Sequence, residues 1–234
     1  MAYNQRNTQP ALLFSLRSFS LVRHMSNPWL DIPLDEYEAH MALPSVGQAQ
    51  LISGQLRNLV RQSAPQSVAV IGCAGGNGFD HLAEMAVTRV VGIDINPRYL
   101  EKARQGYAAK IPNLELYTAD VQSGESICDA VDLIYAALIF EYVDIPAAMK
   151  TLRSLCKPTG LLATLIQMPH DSLSPVSPSP YTSLKRLESA MKLVSDEDLV
   201  GQARRAGFVL DESKAVATRA GKDFKAHTFR FGVL

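Results

Sequence analysis

A glycine-rich turn followed by an acid is the feature of this chain best suited to chemistry. Residues 72–78 (GCAGGNG) directly follow the apolar run 68–71 (VAVI), and Asp94 ends the next apolar run, 90–93 (VVGI). Glycines let a backbone approach a ligand closely, and an acid about 20 residues further on can accept hydrogen bonds from a ribose diol. The pattern therefore predicts a site for a nucleotide-type cofactor.

The elements that must position this site alternate between strand-like and helical patterns. A helix is predicted to begin at Pro97, because proline suits the first helical turn, and a second helix over residues 146–155. This β-α alternation predicts an α/β fold with a doubly wound parallel sheet, in which the carboxyl ends of the strands converge on the ligand. The predicted strands are residues 68–71, 90–93, 114–117, 131–138 and 161–167. The residues expected to converge are Gly72, Asp94, Asp120 and Ala137.

Two cofactors compete for the glycine turn. A dinucleotide site requires G-x-G-x-x-G, whereas counting from Gly72 gives Ala74 in the second glycine position and no glycine in the third. The spacing G-x-A-x-G, with Asp94 beyond it, instead resembles motif I of the class I S-adenosylmethionine (SAM)-dependent methyltransferases. Two departures exist: Val70 stands where that family usually has an acid, and Ala74 replaces its middle glycine.

Other segments resemble the same family in order and spacing. Residues 120–121 (DV) are similar to the end of its third strand, 136–144 (AALIFEYVD) to its fourth strand and following loop, and 152–160 (LRSLCKPTG) to the approach to its fifth. Residues 195–208 resemble its last helix and turn, and 228–233 (TFRFGV) its seventh strand. The resemblance spans residues 68–234. It implies a seven-stranded, mostly parallel sheet with an antiparallel C-terminal strand.

The resemblance also implies the cofactor contacts. The glycine turn would pack against the amino-acid end of SAM, and Asp120 would accept the exocyclic amine of adenine. The implied activity is transfer of a methyl group to an oxygen or nitrogen atom by in-line displacement. The residues expected to contact SAM are Gly72, Cys73, Ala74, Gly76, Asp94, Ile95, Asp120, Val121 and Ala137.

A general base is useful where the acceptor is a hydroxyl or a protonated amine. His170 is the first candidate, because it lies just past the last predicted parallel strand and imidazole is partly neutral at pH 7. His40, Tyr142 and Glu141 follow. Asp171 beside His170 does not make a metal site without further ligands, so no metal is expected.

Two variable regions flank the predicted site. Residues 31–62 are expected to form a helical cap of two helices, over 35–41 and 46–60, with Ser45 as an N-cap. The SAM-binding domain is expected over residues 63–234, with a lid insertion over about 168–190. The first part of that insertion, 168–181 (MPHDSLSPVSPSPY), is too rich in proline for a helix, and an uninvolved surface loop is the alternative.

The first 30 residues are expected to be a flexible or targeting extension. They contain arginine and serine but no acid before Asp31, which matches an organelle transit peptide, with residues 1–24 as the import signal. A true start at Met25 is the alternative. Three cysteines without paired spacing indicate a reducing compartment, so a cytoplasmic location is expected, and no segment reads as a membrane span.

Composition narrows the partners. Basic and acidic residues balance at 23 each with no basic stripe, which disfavours a nucleic-acid partner. The resembling enzymes that methylate planar amines carry an Asn/Asp-Pro-Pro-aromatic motif. This motif is absent here, which disfavours a planar amine as the methyl acceptor. A small-molecule methyl acceptor is therefore expected. The sequence does not indicate the oligomeric state.

Two rival functions stay open. A short-chain dehydrogenase would use the pair Tyr181 and Lys185, but Met168 stands where that family places a serine. The second rival is a non-catalytic methyltransferase-like protein that binds SAM or serves as a partner subunit. The departures at Val70 and Ala74 favour it.

Overall fold

The computed structural model describes residues 27–232, which form a seven-stranded sheet with helices on both faces. The strand order is β3-β2-β1-β4-β5-β7-β6, and only β7 runs antiparallel to its neighbours. The predicted fold class is confirmed. The strands are β1 (Ser67–Ile71), β2 (Arg89–Asp94), β3 (Leu114–Thr118), β4 (Val131–Ala137), β5 (Cys156–Gln167), β6 (Phe208–Ala217) and β7 (Asp223–Phe231).

Two predictions fall outside the described residues. Most of the predicted N-terminal extension, residues 1–26, lies there, including the alternative start at Met25. The last residue of the predicted seventh strand, Val233, also lies there.

Side-chain caps begin three of the helices. The Asn96 side chain accepts from the backbone N–H of Arg98 just before Pro97, so the predicted start of α4 is confirmed. Asp144 and Ser195 cap α5 and α7 in the same way, which satisfies N–H groups that have no partner within the helix. The helices are α1 (Leu34–Ala42), α2 (Gln48–Ser63), α3 (Phe79–Glu84), α4 (Pro97–Tyr107), α5 (Ile145–Leu155), α6 (Lys185–Ala190) and α7 (Asp196–Arg205).

Two local predictions are wrong. Ser45 does not cap α2, because the chain turns at Gly47 with φ of +64° and the helix begins at Gln48 without a side-chain cap. β5 begins at Cys156 rather than at residue 161, because Cys156 pairs with Val131 before the register shifts.

Alternating side chains of the central strands build one apolar core on each face of the sheet. Val68 and Val70 of β1 pack with α2, α3 and α4, whereas Ala69 and Ile71 pack with α5 and α7. The large side chains in these cores, such as Phe79 and Phe229, are fully buried. Burying such a side chain contributes about 1.5–3 kcal/mol, so both helical layers are held firmly against the sheet.

A buried acid joins the loop after β4 to the end of β5. Oε1 of Glu141 accepts the backbone N–H of Gln167 at 2.7 Å, and the backbone carbonyl of Glu141 accepts the N–H of Lys192. Glu141 is 1% exposed, and burial raises the pKa of its carboxyl to about 7. This contact fixes where the chain leaves β5 to enter the irregular segment 168–181.

Among residues 27–232, no helix combines the length and the apolar character that a membrane-crossing helix requires.

Gly92 in β2 allows three elements to approach each other. A Cβ at this position would lie 2.7 Å from Cδ2 of Leu116 and 2.9 Å from Sγ of Cys73. We expect Gly92→Ala to lower the free energy of unfolding by about 1–3 kcal/mol through overpacking. Gly201 in α7 is the matched control, because a Cβ there meets nothing within 4 Å, and Gly201→Ala should stabilise by up to about 1 kcal/mol. Urea unfolding of both variants measures the difference, and equal shifts would contradict the packing argument.

Glu141 should make stability fall as pH rises. The raised pKa means that the folded protein binds the proton more tightly than the unfolded chain, so this stabilisation is complete below about pH 4.5 and is lost as pH passes about 7. Glu141→Gln keeps an oxygen for the Gln167 N–H but does not titrate. Between pH 5 and pH 8 the wild type should lose up to about 3 kcal/mol relative to this variant in urea unfolding. Parallel stability curves for the two proteins would rule out a perturbed Glu141.

Candidate active site

The glycine turn is built from residues in left-handed conformations. Gly72, Gly76 and Gly78 have φ of +64°, +98° and +89°, and Ala74 has φ of +49°. A left-handed residue with a side chain costs about 1–2 kcal/mol, so Ala74 adopts a glycine-like conformation at a price in strain. The turn compensates with hydrogen bonds: the N–H groups of Gly72 and Cys73 both donate to the carbonyl of Ile93 at the end of β2.

Asp94 is the acceptor that holds the turn in place. Its Oδ2 accepts the backbone N–H of Ala74 at 2.9 Å and its Oδ1 accepts that of Asn96 at 2.8 Å. The side chain is buried; burial raises the pKa of this carboxyl, and the two backbone donors oppose that rise. Each carboxylate oxygen can accept more than one hydrogen bond, so Asp94 keeps acceptor capacity for a ligand.

A cavity of about 710 Å³ opens above Asp94, and we call it the Asp94 cavity. Oδ1 of Asp120 accepts both the backbone N–H and the side-chain amide of Gln122 at one side of it. Seven of the predicted cofactor contacts line this cavity: Gly72, Ala74, Asp94, Ile95, Asp120, Val121 and Ala137.

The other two predicted contacts, Cys73 and Gly76, line a neighbouring cavity of about 1180 Å³ on the far side of the turn, which we call the loop cavity. Gly72, Ala74 and Ala137 border both cavities, so the two are contiguous around the turn. Burial raises the pKa of the Cys73 thiol, which keeps it protonated and unsuited to act as a nucleophile.

Three aromatic side chains form a wall beside the Asp94 cavity. The Trp29 ring meets Tyr37 edge-on at 5.2 Å between centroids and Tyr142 edge-on at 5.0 Å. Burial raises the pKa of both tyrosines, so their phenols remain protonated at neutral pH. Tyr142, predicted as a candidate base, is therefore better suited to donate a hydrogen bond than to accept a proton.

Behind this wall lies a third cavity of about 500 Å³, which we call the His40 cavity. It shares Trp29, Tyr37, Leu138 and Tyr142 with the Asp94 cavity. The structure thus brings two of the predicted catalytic candidates, His40 and Tyr142, to one cavity next to the predicted cofactor contacts.

The segment 168–181 covers the His40 cavity through residues 175–177, which line it. The carbonyl of Pro175 accepts from the side-chain amide of Gln167 at 3.0 Å and from the ammonium group of Lys222 at 2.8 Å. Lys222 also donates to Oγ of Ser177 at 2.9 Å. Lys222 is buried, and burial lowers its pKa to about 8. Two buried side chains therefore hold this covering segment.

His170, the first predicted base, lies elsewhere. Its side chain is exposed, its ring contacts the backbone N–H and hydroxyl of Ser172, and it borders none of the three cavities. The chain leaves β5 at Gln167 and turns outward, so nearness in sequence to the strand end does not bring His170 to the site.

Several residues of the site were missed by the sequence reasoning. Asn27 and Trp29 line the Asp94 cavity although they were assigned to the N-terminal extension, because the side-chain amide of Asn96 donates to the carbonyl of Trp29 and fixes this segment. The only signal was that Trp29 is the single tryptophan of the chain. Gln48 and Gln167 of the His40 cavity, and Lys222 behind it, carried no sequence signal.

Within the part of the chain that the structure describes, no group of three or more His, Cys, Asp and Glu side chains is arranged to hold a metal ion.

Part of the chain matches a known family model. The sequence model of a family described as "Methyltransferase domain" matches residues 68–160, from the start of β1 to the middle of β5. A search of curated protein sequences finds no significant match.

Solved structures share the fold at low identity. Magnesium protoporphyrin IX methyltransferase from Synechocystis PCC 6803, with S-adenosylhomocysteine (SAH) bound, is 19% identical, with 79% of this chain and 84% of that chain covered and a TM-score of 0.60. The N-methyltransferase NodS from Bradyrhizobium japonicum WM9, also with SAH, is 20% identical, with coverage of 88% and 92% and a TM-score of 0.56. The [4+2]-cyclase SpnF is 16% identical, with coverage of 77% and 82% and a TM-score of 0.61.

The matched segment contains the glycine turn, Asp94, Asp120 and the end of β4, which are the elements that border the Asp94 cavity. Residues 68–160 are therefore similar to the methyltransferase-domain family, and solved methyltransferases share the fold of the chain.

Proposed function

We propose that this protein transfers the methyl group of SAM to an oxygen or nitrogen atom of a small molecule. The observation that carries the proposal is the contact between two cavities: the Asp94 cavity and the His40 cavity share Trp29, Tyr37, Leu138 and Tyr142. A donor in one cavity and an acceptor in the other would meet at these shared residues. Methyl transfer depends mainly on such alignment of the two reacting groups.

The residues of the Asp94 cavity fit SAM. Asp94 offers a buried carboxylate with acceptor capacity left for the ribose diol, and Asp120 offers a second acceptor for the adenine amine. The turn from Gly72 to Gly76 would pack against the amino-acid end. Bound there, SAM supplies an electrophilic methyl group on a positively charged sulfur.

The His40 cavity favours a small acceptor. Apolar and aromatic side chains make up most of its lining, as is usual for small-molecule sites, and residues 175–177 close it on one side. The balanced charge of the chain gives no basic surface excess for nucleic acid. The magnesium protoporphyrin and NodS enzymes show that this fold accommodates methyl transfer, without indicating the acceptor here.

A non-transferring SAM-binding protein is the second candidate. The cyclase SpnF has the same fold, so the fold alone does not specify methyl transfer. The strained Ala74 and the apolar Val70 are the departures that favour this candidate. The dehydrogenase alternative has less support, because neither Tyr181 nor Lys185 borders the Asp94 cavity.

Isothermal titration calorimetry with SAM, SAH, NADH and NADPH tests the cofactor, and SAH formation with a panel of alcohols and amines tests transfer. We expect micromolar binding of SAM and SAH only, with turnover of at least one acceptor. Binding without turnover would favour the second candidate, and binding of a nicotinamide cofactor would overturn the proposal.

Asp94 should dominate cofactor affinity. Asp94→Asn removes the charged acceptor and leaves the N–H groups of Ala74 and Asn96 with a weaker partner, so the Kd for SAM should rise about 10- to 100-fold, which corresponds to about 1.5–3 kcal/mol. Asp129→Asn is the matched control, because Asp129 is exposed and borders none of the three cavities. Calorimetry measures both variants. An unchanged Kd for Asp94→Asn would remove Asp94 from the cofactor site.

A further inference from the structure

The His40 cavity carries an inference about the acceptor, which rests on the proposed function. We propose that the acceptor is a compact, mainly apolar molecule, that its reacting group is a hydroxyl, and that His40 receives the hydroxyl proton.

The lining of the cavity indicates an apolar body. Met41, Leu138, Val176, Leu187 and Met191 surround it together with the aromatic wall. Among the described residues that line the cavity there is no carboxylate, lysine or arginine. A strongly charged acceptor would lose its hydration there without gaining a partner, which is costly.

Three buried polar side chains are part of the cavity lining. His40, Gln48 and Gln167 line the cavity, and all three are buried. The Gln48 amide reaches Oε1 of Gln167 only at 3.5 Å, and Nδ1 of His40 has no hydrogen-bond partner among the described residues. Buried polar atoms are rarely left without a partner, so an unpaired imidazole nitrogen beside a cavity indicates a ligand that supplies one.

His40 is suited to accept a proton rather than to donate one. Burial lowers the pKa of its imidazole below the ordinary value of 6.5, and the nearby positive charge of Lys222 lowers it further. The other ionisable groups that border the cavity, Tyr37 and Tyr142, remain protonated because burial raises their pKa. The imidazole is therefore neutral at pH 7 and has a free lone pair.

The same charges favour a hydroxyl over an ammonium or a carboxylate. An ammonium group would meet no lining carboxylate. A carboxylate would meet no lining cation, because Lys222 lies behind the covering segment, where it donates to Pro175 and Ser177. A neutral hydroxyl needs only hydrogen-bonding groups, which His40, Gln48 and Gln167 provide.

The transfer step balances with this assignment. The acceptor oxygen forms a bond to the methyl carbon as the carbon–sulfur bond breaks, and the bonding pair stays on sulfur in SAH. The hydroxyl proton passes to the imidazole of His40. His40 lies one helical turn from Tyr37, which borders all three cavities, so a small acceptor can reach from the imidazole to the cofactor side.

Four probe molecules that share a 4-ethylphenyl group and differ in the reacting group test whether the acceptor group is a hydroxyl. The wild-type protein is supplied with SAM and with 4-ethylphenol, 4-ethylbenzyl alcohol, 4-ethylaniline or 4-ethylbenzoate, and SAH formation is measured. We expect turnover of at least one hydroxyl probe and none of the carboxylate. Faster turnover of the aniline or the benzoate, or turnover of no probe by a protein that binds SAH, would overturn the proposal.

Variants of His40 test the proton acceptor. His40→Gln and His40→Ala should lower kcat for the hydroxyl probe by about 10²- to 10⁴-fold. In the wild type kcat should fall as pH drops through a pKa below 6.5, and this acid limb should vanish in both variants. His170→Gln, the same change at the exposed histidine, should retain wild-type kcat and the acid limb. Wild-type kcat in the His40 variants, or a loss in His170→Gln, would overturn the assignment.

The fluorescence of Trp29 distinguishes a failure of the His40 proposal from a failure of the proposed function. Trp29 is the single tryptophan and lies in the wall shared by the Asp94 and His40 cavities, so its fluorescence reports SAH binding directly. The His40 variants should show the wild-type fluorescence titration with SAH, which also demonstrates that they fold. A wild-type protein that gives no SAH response would refute the proposed function itself, whereas SAH binding with unaffected His40 variants would refute only the role of His40.

Discussion

The carboxylate of Asp94 is the interaction on which the rest of the site depends. It stands at the end of β2 and accepts one N–H from the glycine turn after β1 and one from the start of α4. Without these donors the burial of Asp94 would leave a costly unpaired charge. Without Asp94, the left-handed Ala74 would lose the bond that offsets its strain. The acid and the turn therefore stabilise each other.

The effect of Asp94 extends to the aromatic wall. Asn96, whose N–H binds Asp94, caps α4 with its side-chain oxygen and donates its amide to the carbonyl of Trp29. Trp29 in turn packs edge-on against Tyr37 and Tyr142. One short chain of contacts thus sets the position of the Asp94 carboxylate, the start of α4 and the wall between the Asp94 and His40 cavities.

The end of β5 has a comparable role for the His40 cavity. Gln167 donates its backbone N–H to Glu141 and its side-chain amide to the carbonyl of Pro175, which Lys222 also binds. Leu138, which directly follows β4, has φ of +55° and borders both the Asp94 cavity and the His40 cavity. Backbone strain of this kind persists only where the surroundings determine it, and here it occurs where donor and acceptor would meet.

The sequence was sufficient for the sheet and for placing Asp94 and Asp120 at one edge of it, and the reason is physical. Apolar runs such as residues 133–137 (LIYAA) are typical of buried parallel strands, and the carboxyl ends of such strands meet at one edge of the sheet, so Asp94 and Asp120 could be placed together in advance. The sequence named His40 as a candidate but could not show its surroundings, because His40 on α1 and Lys222 between β6 and β7 come together only through tertiary packing. Nearness in sequence to the end of β5 made His170 the first candidate for the general base. In the structure β5 ends at Gln167 and the His170 side chain is exposed, away from the three cavities.

The two cavities differ in polarity, and the difference suits a reaction in which charge disappears from the donor. The Asp94 cavity presents two carboxylates, Asp94 and Asp120, whereas the described lining of the His40 cavity contains none. A cationic sulfur is attracted to the first cavity and gains nothing from the second. As the methyl group moves toward a neutral oxygen, the positive charge leaves the sulfur, and an apolar, water-poor acceptor side does not oppose that loss in the way that bulk water would. If the protein transfers a methyl group as proposed, selectivity for the acceptor would depend on the few polar side chains of the His40 cavity rather than on charge, and the unpaired imidazole nitrogen of His40 would be one of the atoms that determine it.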